Sequence, residues 1–228
     1  MANNDKWCFS WYAPEPGSTG QNRAGLQKAS KWDVGEIITI SFLDGDPSVQ
    51  ARVRAVAQEW TAPGMANLTL SFRTDTTDTD IRISFQFPGS WSVLGKTCRN
   101  IPAPQATMNY GWLTAASTDD EVRRVVLHEF GHALGLIHEH QNPAGGINWD
   151  KPAVTADLSG PPNNWNLATI EFNMFTPQAA AETNFTALDP TSIMMYPIPA
   201  HWTTDGFSTG LNTDLSPTDR QFIQDEYS

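Results

Sequence analysis

His128-Glu129-Phe130-Gly131-His132-Ala133-Leu134-Gly135-Leu136-Ile137-His138 is the stretch on which the reading of this chain turns. Just upstream, Thr118 can cap a helix, and Asp119, Asp120 and Glu121 fill its first turn against the helix dipole. Val122, Val125 and Val126 give that helix an apolar stripe, so a helix is predicted to run to about Leu134. Residues four apart on a helix lie ~40° apart around the axis and ~6 Å along it, so His128 and His132 point the same way. Such a pair can grip one metal ion. Glu129, beside His128, is close enough to reach a water on that metal without ligating it. Gly135 suits the left-handed turn that ends a helix, and His138 then arrives from outside the helix as a third ligand. Three neutral nitrogens plus water make an open, tetrahedral zinc site, the arrangement of a catalytic metal.

The chain has five histidines, and three of them fall at these spacings. Chance would give three histidines, one glutamate and one glycine at these spacings on the order of 10⁻⁵ times per chain, with residue frequencies treated as independent. A helix that merely carries surface histidines is the competing reading. So is a structural zinc, but such sites prefer four protein ligands, often cysteine, and neither Cys8 nor Cys98 is near in sequence.

Upstream of this helix, Ile37-Ile38-Thr39-Ile40-Ser41-Phe42 is β-branched and apolar, which predicts a buried strand. Asp44-Gly45 turns the chain. Asp46 caps a helix with Pro47 in its first position, and Val49, Val53, Val56 and Trp60 follow at helical spacing before Pro63-Gly64 ends it. Leu68, Leu70 and Phe72 alternate, as do Ile81, Ile83, Phe85 and Phe87, which predicts two more strands. Residues 90–94 and 106–112 carry weaker strand patterns. The order β-α-β-β implies a mixed sheet backed by a helix, an α+β arrangement.

Downstream, residues 139–190 are rich in Pro, Asn and Gly and show little periodicity, so they are predicted to be mostly loop with a short helix around 165–172. Ser216-Pro217-Thr218-Asp219 is a cap and first turn, and Phe222, Ile223 and Tyr227 complete a short terminal helix. Residues 1–31 hold an aromatic cluster (Trp7, Phe9, Trp11, Tyr12) followed by Pro, Gly, Ser and Asn. They are expected to be an extension laid over the domain, or a leader. Residues 32–228 are expected to form one domain, with an upper lobe over 32–138 and a lower lobe over 139–228.

Composition narrows the function. The 228 residues carry 14 Lys and Arg against 25 Asp and Glu, a net charge of −11 that argues against a nucleic-acid partner. The imbalance sits after residue 114, where four positive side chains face fifteen negative ones. Solubility accounts for it, and a field that favours cations is the sharper reading. No stretch approaches the ~20 apolar residues of a membrane span. The first residues show no basic region followed by an apolar run, so the chain is either intracellular or has lost a secretion signal.

The residues His128 to His138 resemble the extended motif H-E-x-x-H-x-x-G-x-x-H of the metzincin zinc endopeptidases. Ser192-Ile193-Met194-Met195-Tyr196 fits the methionine-containing turn of that group, with Met194 as its methionine, and the Ser-Ile-Met-x-Tyr form is similar to the astacin family. Trp32 and Gly35, Glu139 after the third histidine, Ile147-Asn148-Trp149-Asp150 and Leu215-Ser216-Pro217-Thr218-Asp219 add to the likeness, which spans roughly residues 32–228. Position 195 is Met where many astacins have His, and the four-cysteine pattern of animal members is absent, so this chain looks like a distant, microbial relative.

The resemblance implies zinc held by His128, His132 and His138, with Tyr196 as an additional, movable ligand. It also implies Glu129 as general base, hydrolysis of peptide bonds in proteins or peptides, a monomer, and secretion. Tyr196 would leave the metal and donate a hydrogen bond to the tetrahedral oxyanion. An extended substrate is expected to add a strand at residues 90–95. Residues 139–190 and 197–214 would build the far wall, where His201 and Trp202 read as an exposed loop pair. Two other readings remain: a zinc amidase or exopeptidase of narrow specificity, and a non-catalytic zinc-containing binding protein, which intact Glu129 argues against. Cys8 could hold the metal as a latency device, although a Cys8–Cys98 bridge or a plain buried thiol is favoured. The run from Thr74 to Asp80 could bind calcium but lacks the Gly and Glu of an EF-hand loop, so a solvated turn is expected.

Overall fold

The computed structural model describes residues 8–11, 26–161, 163–177 and 183–228. Its upper half is a six-stranded sheet built from β1 (Cys8–Trp11), β3 (Ile37–Phe42), β4 (Thr69–Arg73), β5 (Ile81–Ser84), β6 (Ser90–Val93) and β7 (Met108–Tyr110) in the order β1-β6-β7-β5-β3-β4. β3 runs parallel to β4 and β5, and β5 parallel to β7, while β6 is antiparallel to β7. The sheet is therefore mixed, as the sequence implies. A small second sheet pairs β2 (Leu26–Gln27) with β8 (Thr183–Asn184).

β5 stops three residues earlier than the alternation through Phe87 predicts. Asp44 takes the Phe85 amide at 2.7 Å and the Ser84 hydroxyl at 2.7 Å, so the chain peels from the ladder onto a side chain. The Phe85 ring then packs on Tyr110 and Phe42.

Two helices cover this sheet. α1 (Pro47–Ala57) is capped by Asp46, whose side chain accepts from the Ser48 amide. α2 (Asp119–Ala133) is capped by Thr118 through the Glu121 amide, with three acidic residues in its first turn. The apolar faces of both helices meet the sheet in one core that includes Ile38, Ile40, Val53, Trp60, Ile83, Val125, Phe130 and Tyr227. Carbonyls near the end of α2 are met from three sides. Trp60 Nε1 donates to Leu127 O at 3.0 Å, Trp32 Nε1 to Ala133 O at 2.8 Å and Tyr227 Oη to Leu134 O at 2.6 Å. The bonds to Ala133 and Leu134 give partners to carbonyls that a helix end would otherwise bury unpaired.

The lower half has its own core, formed by Val154, Leu158, Trp165, Ile170, Met174, Met195, Tyr196, Ile198 and Trp202. It contains α3 (Lys151–Ser159), α4 (Leu167–Ile170) running into a wider turn at Glu171–Phe175, and α5 (Pro217–Glu226) closes the chain. α3 corrects the expectation that residues before 165 are loop. Its signal is short: Asp150 caps it, a proline occupies the first turn, and only Val154 and Leu158 are buried. Two anchors four residues apart are too few to announce a helix by periodicity. Trp202 is also corrected, because it is only 2% exposed and donates from Nε1 to Asp157 at 2.7 Å. His201 alone is at the surface, on the same carboxylate.

Residues 192–196 join the two cores. Ile193 and Met194 belong to the upper one, Met195 and Tyr196 to the lower. Methionine at 195 is thus a packing residue of the lower half.

Candidate metal centre

The end of α2 is set by Gly135, which adopts φ +96°. Its amide bonds to His132 O at 2.8 Å, and the Leu136 amide reaches back to Gly131 O at 2.9 Å. This paired closure reverses the chain within three residues and brings His138 back over the helix. His128, His132 and His138 are all buried, and one ring nitrogen of each lies within 4.8 Å of the others. Among the described residues no other group of three or more His, Cys, Asp or Glu side chains is gathered closely enough to hold a metal ion. The calcium reading of residues 74–80 finds no support: Asp75 is taken by Arg73, and Asp80 by Arg99 and Thr39.

The hydrogen bonds at the three imidazoles test whether a cation fits. His128 Nδ1 lies 2.8 Å from Ile193 O, and His132 Nδ1 lies 2.8 Å from Leu136 O. A carbonyl only accepts, so both Nδ1 atoms carry the proton. Burial pushes the His128 pKa down to about 4 and that of His132 well below the ordinary imidazole range, so both rings are neutral. Each Nε2 is then a bare lone pair. Yet the His128 and His132 Nε2 atoms face each other at 3.1 Å, and His138 Nε2 stands 3.1 Å from that of His132. Acceptors do not converge this way without a cation between them. A tetrahedral zinc with Zn–N near 2.0–2.1 Å would set its nitrogens about 3.3 Å apart. The residues fit Zn²⁺, and the carbonyls of Ile193 and Leu136 fix the tautomer that offers Nε2 to it.

Other predicted residues gather around this triad. Glu129, one position along α2 from His128, is fully buried at 0% exposure. The Tyr196 ring centre is 4.3 Å from that of His138 and 6.3 Å from that of His128. Met194 lies beneath the helix: a Cβ placed on Gly131 would stand 2.4 Å from its sulfur. Glu139 N donates to Met194 O at 3.0 Å, and burial raises the Glu139 carboxyl to about 7 while the Asp189 backbone amide and the Asn142 side-chain amide donate to it.

Three features escaped the sequence reading. His140 stacks on Tyr196 at 4.6 Å and donates from Nε2 to Asn173 O at 2.7 Å. Gly131 is an interior helix glycine, which costs ~1 kcal/mol against alanine and is itself a signal of close packing. Backbone carbonyls such as Ile193 O leave no signal in sequence at all.

Some sequence expectations meet a different structure. β6 is not a free edge, since β1 pairs with it in parallel from Cys8 opposite Ser90 to Trp11 opposite Val93. Cys98 is a buried free thiol, raised by burial to about 12, and so is no nucleophile at neutral pH. The side chain of Cys8 falls outside the described residues, as do residues 1–7 and 12–25 of the leader. A pocket lined by Leu136, Glu139, Asn142, Phe185, Asp189 and Asp219 opens behind the third-ligand turn, and none of the three histidines lines it.

An α+β fold with a buried triad of histidines suited to one zinc ion defines a zinc metallopeptidase. No family model and no curated protein matches the chain. Among solved structures it is similar to myroilysin, with 43% identity and a TM-score of 0.85 over 88% of this chain and 97% of that one. A crystal structure of myroilysin gives 40% identity and a TM-score of 0.70 over 99% of this chain and 92% of that one. High choriolytic enzyme 1, a hatching enzyme zinc-protease from the medaka fish Oryzias latipes, shares the fold at 17% identity and a TM-score of 0.59, over 87% of this chain and 94% of that one. The chain belongs, together with myroilysin, to the metzincin zinc endopeptidases, with an astacin-like relationship. Zn²⁺ is its cofactor. Among the described residues, no helix is long and apolar enough to cross a membrane.

Proposed function

We propose that the chain cuts peptide bonds inside proteins and extended peptides, with His128, His132 and His138 holding the zinc and Glu129 as general base. The observation that carries this reading is the pair of lone-pair nitrogens at 3.1 Å, with a fully buried carboxylate on the next residue of the same helix. Zinc, when bound, supplies Lewis-acid chemistry, lowering the pKa of water from 15.7 to near ~7 and polarising the scissile carbonyl. Glu129 takes a proton at its carboxylate from the attacking water and delivers it to the leaving amine. Tyr196, whose ring packs against His138, would be an additional ligand to the zinc and would donate a hydrogen bond from its hydroxyl to the developing oxyanion. Residues 192–196 are the methionine turn of the family, with Met194 packed under the ligand helix.

The substrate enters beside β6 and pairs with its backbone, so that main-chain contacts read the peptide without demanding a sequence. In this chain β1 fills that edge, which supports residues 1–31 as a leader that must move before a substrate can bind.

Mass mapping of the products of an unfolded protein such as casein tests the reading, with the intact chain and with residues 1–30 removed. Internal cuts that rise on removal are expected. Release of terminal residues alone would replace it with a narrow exopeptidase. No gain on removal would dismiss the leader.

A further inference from the structure

The orienting bond on His128 comes from a carbonyl 65 positions downstream, and that carbonyl is itself held in place. Asp219, at the third position of α5 and 7% exposed, takes Ile193 N at 2.8 Å and Ser216 N at 2.9 Å on one oxygen. Its other oxygen takes the Ser192 hydroxyl at 2.7 Å. Ser192 Oγ in turn accepts from the Met194 amide at 3.0 Å. The amides of residues 193 and 194 are therefore both tied, directly or through one hydroxyl, to a single carboxylate. Their carbonyls face the other way, Ile193 O to His128 Nδ1 and Met194 O to the amide of Glu139, next to His138.

We infer that Asp219 is a positioning residue of the metal centre, which aims the Ile193 carbonyl at His128 and so sets the ring that offers Nε2 to zinc. This rests on the reading of His128 as a ligand. Three donors converge on one buried carboxylate, and an amide in its place would turn an NH₂ group toward at least one of them. An ordinary helix cap needs only the Ser216 and Asp219 exchange within α5. The bonds to residues 192 and 193 go beyond it. Loss of a group that orients a metal-bound histidine typically weakens metal binding 10- to 100-fold.

The test measures zinc dissociation by competition with a chelator, alongside thermal unfolding, in the full chain. Asp219→Asn should weaken zinc binding 10- to 100-fold. Ile223→Ala loosens the same helix through the core and leaves every Asp219 bond in place, so it should lower the unfolding temperature and keep zinc affinity within threefold of the parent. If Asp219→Asn does not fold, Ser192→Ala replaces it, with a 3- to 10-fold loss expected. Affinity within threefold of the parent in Asp219→Asn, or in Ser192→Ala where that stands in, overturns the inference, as does a loss in Ile223→Ala as large as that in Asp219→Asn. Failure of the parent itself to bind zinc, or full binding by His128→Ala, would refute the ligand reading instead.

Discussion

The zinc site has a helical half and a loop half, and they are held by different forces. His128, Glu129 and His132 ride on α2, where 3.6 residues per turn fix their relation and the upper core fixes the helix. His138, Tyr196 and the Ile193 carbonyl come from irregular chain, and single hydrogen bonds to Asp219, Glu139 and Ser192 stand in for a repeating ladder. Spacing alone can specify a helical constellation, whereas a loop constellation needs dedicated side chains from distant positions.

That contrast can be broken from either side. In the loop half the largest effect is expected at Tyr196. Tyr196→Phe should keep the metal and lower kcat ~10²-fold or more with little change in KM, because one donor to the oxyanion is lost. An unchanged kcat would leave Tyr196 as packing for the lower core.

A smaller effect is expected where the halves touch. Gly131→Ala favours the helix by ~1 kcal/mol. It also drives a methyl into the buried Met194 sulfur at 2.4 Å and to 3.4 Å from Trp60, and overpacking of this kind costs ~1–3 kcal/mol. A net loss of about 1 kcal/mol in urea unfolding is predicted. A gain would mean that Met194 gives way freely and that the loop half is softer than its bonds imply.

The smallest effect probes the rim of the upper half. Burial pushes the Asp80 carboxyl up, but hydrogen bonds from Arg99 and Thr39 outweigh it and hold the group below the usual range. A carboxyl lowered by folding stabilises above its unfolded pKa of ~3.9 and loses that contribution as pH falls through the folded value. Asp80→Asn should therefore cost about 0.5–1 kcal/mol at pH 6 and less at pH 3, Arg99 being half exposed. A penalty that grows on acidification would reverse the assignment.

The same division explains what the sequence disclosed. The α2 motif, the cap at Thr118 and the turn at Gly135 are local, so each was legible within a dozen residues. The mixed sheet followed from the apolar run of β3 and the alternation in β4 and β5; the end of β5 was misread, because Asp44 captures the strand from outside it, and β1 was not foreseen as a strand beside β6. The Met194 and Tyr196 pair was found by resemblance rather than by periodicity. α3, His140 and Asp219 were missed or left without a role, since each depends on a partner far along the chain. Trp202 read as exposed because a surrounding run of Pro, Thr and Gly gives no hint of the core formed with Val154 and Leu158.

Glu129→Gln, assayed for zinc by elemental analysis and for cleavage of an internally quenched peptide, is the most direct test of the zinc site's chemistry. One zinc per chain, as in the parent, with turnover reduced at least ~10²-fold is the predicted result, since the carboxylate moves a proton and does not bind the metal. Near-parental cleavage by that variant, or a loss of zinc as complete as the loss of turnover, would contradict it.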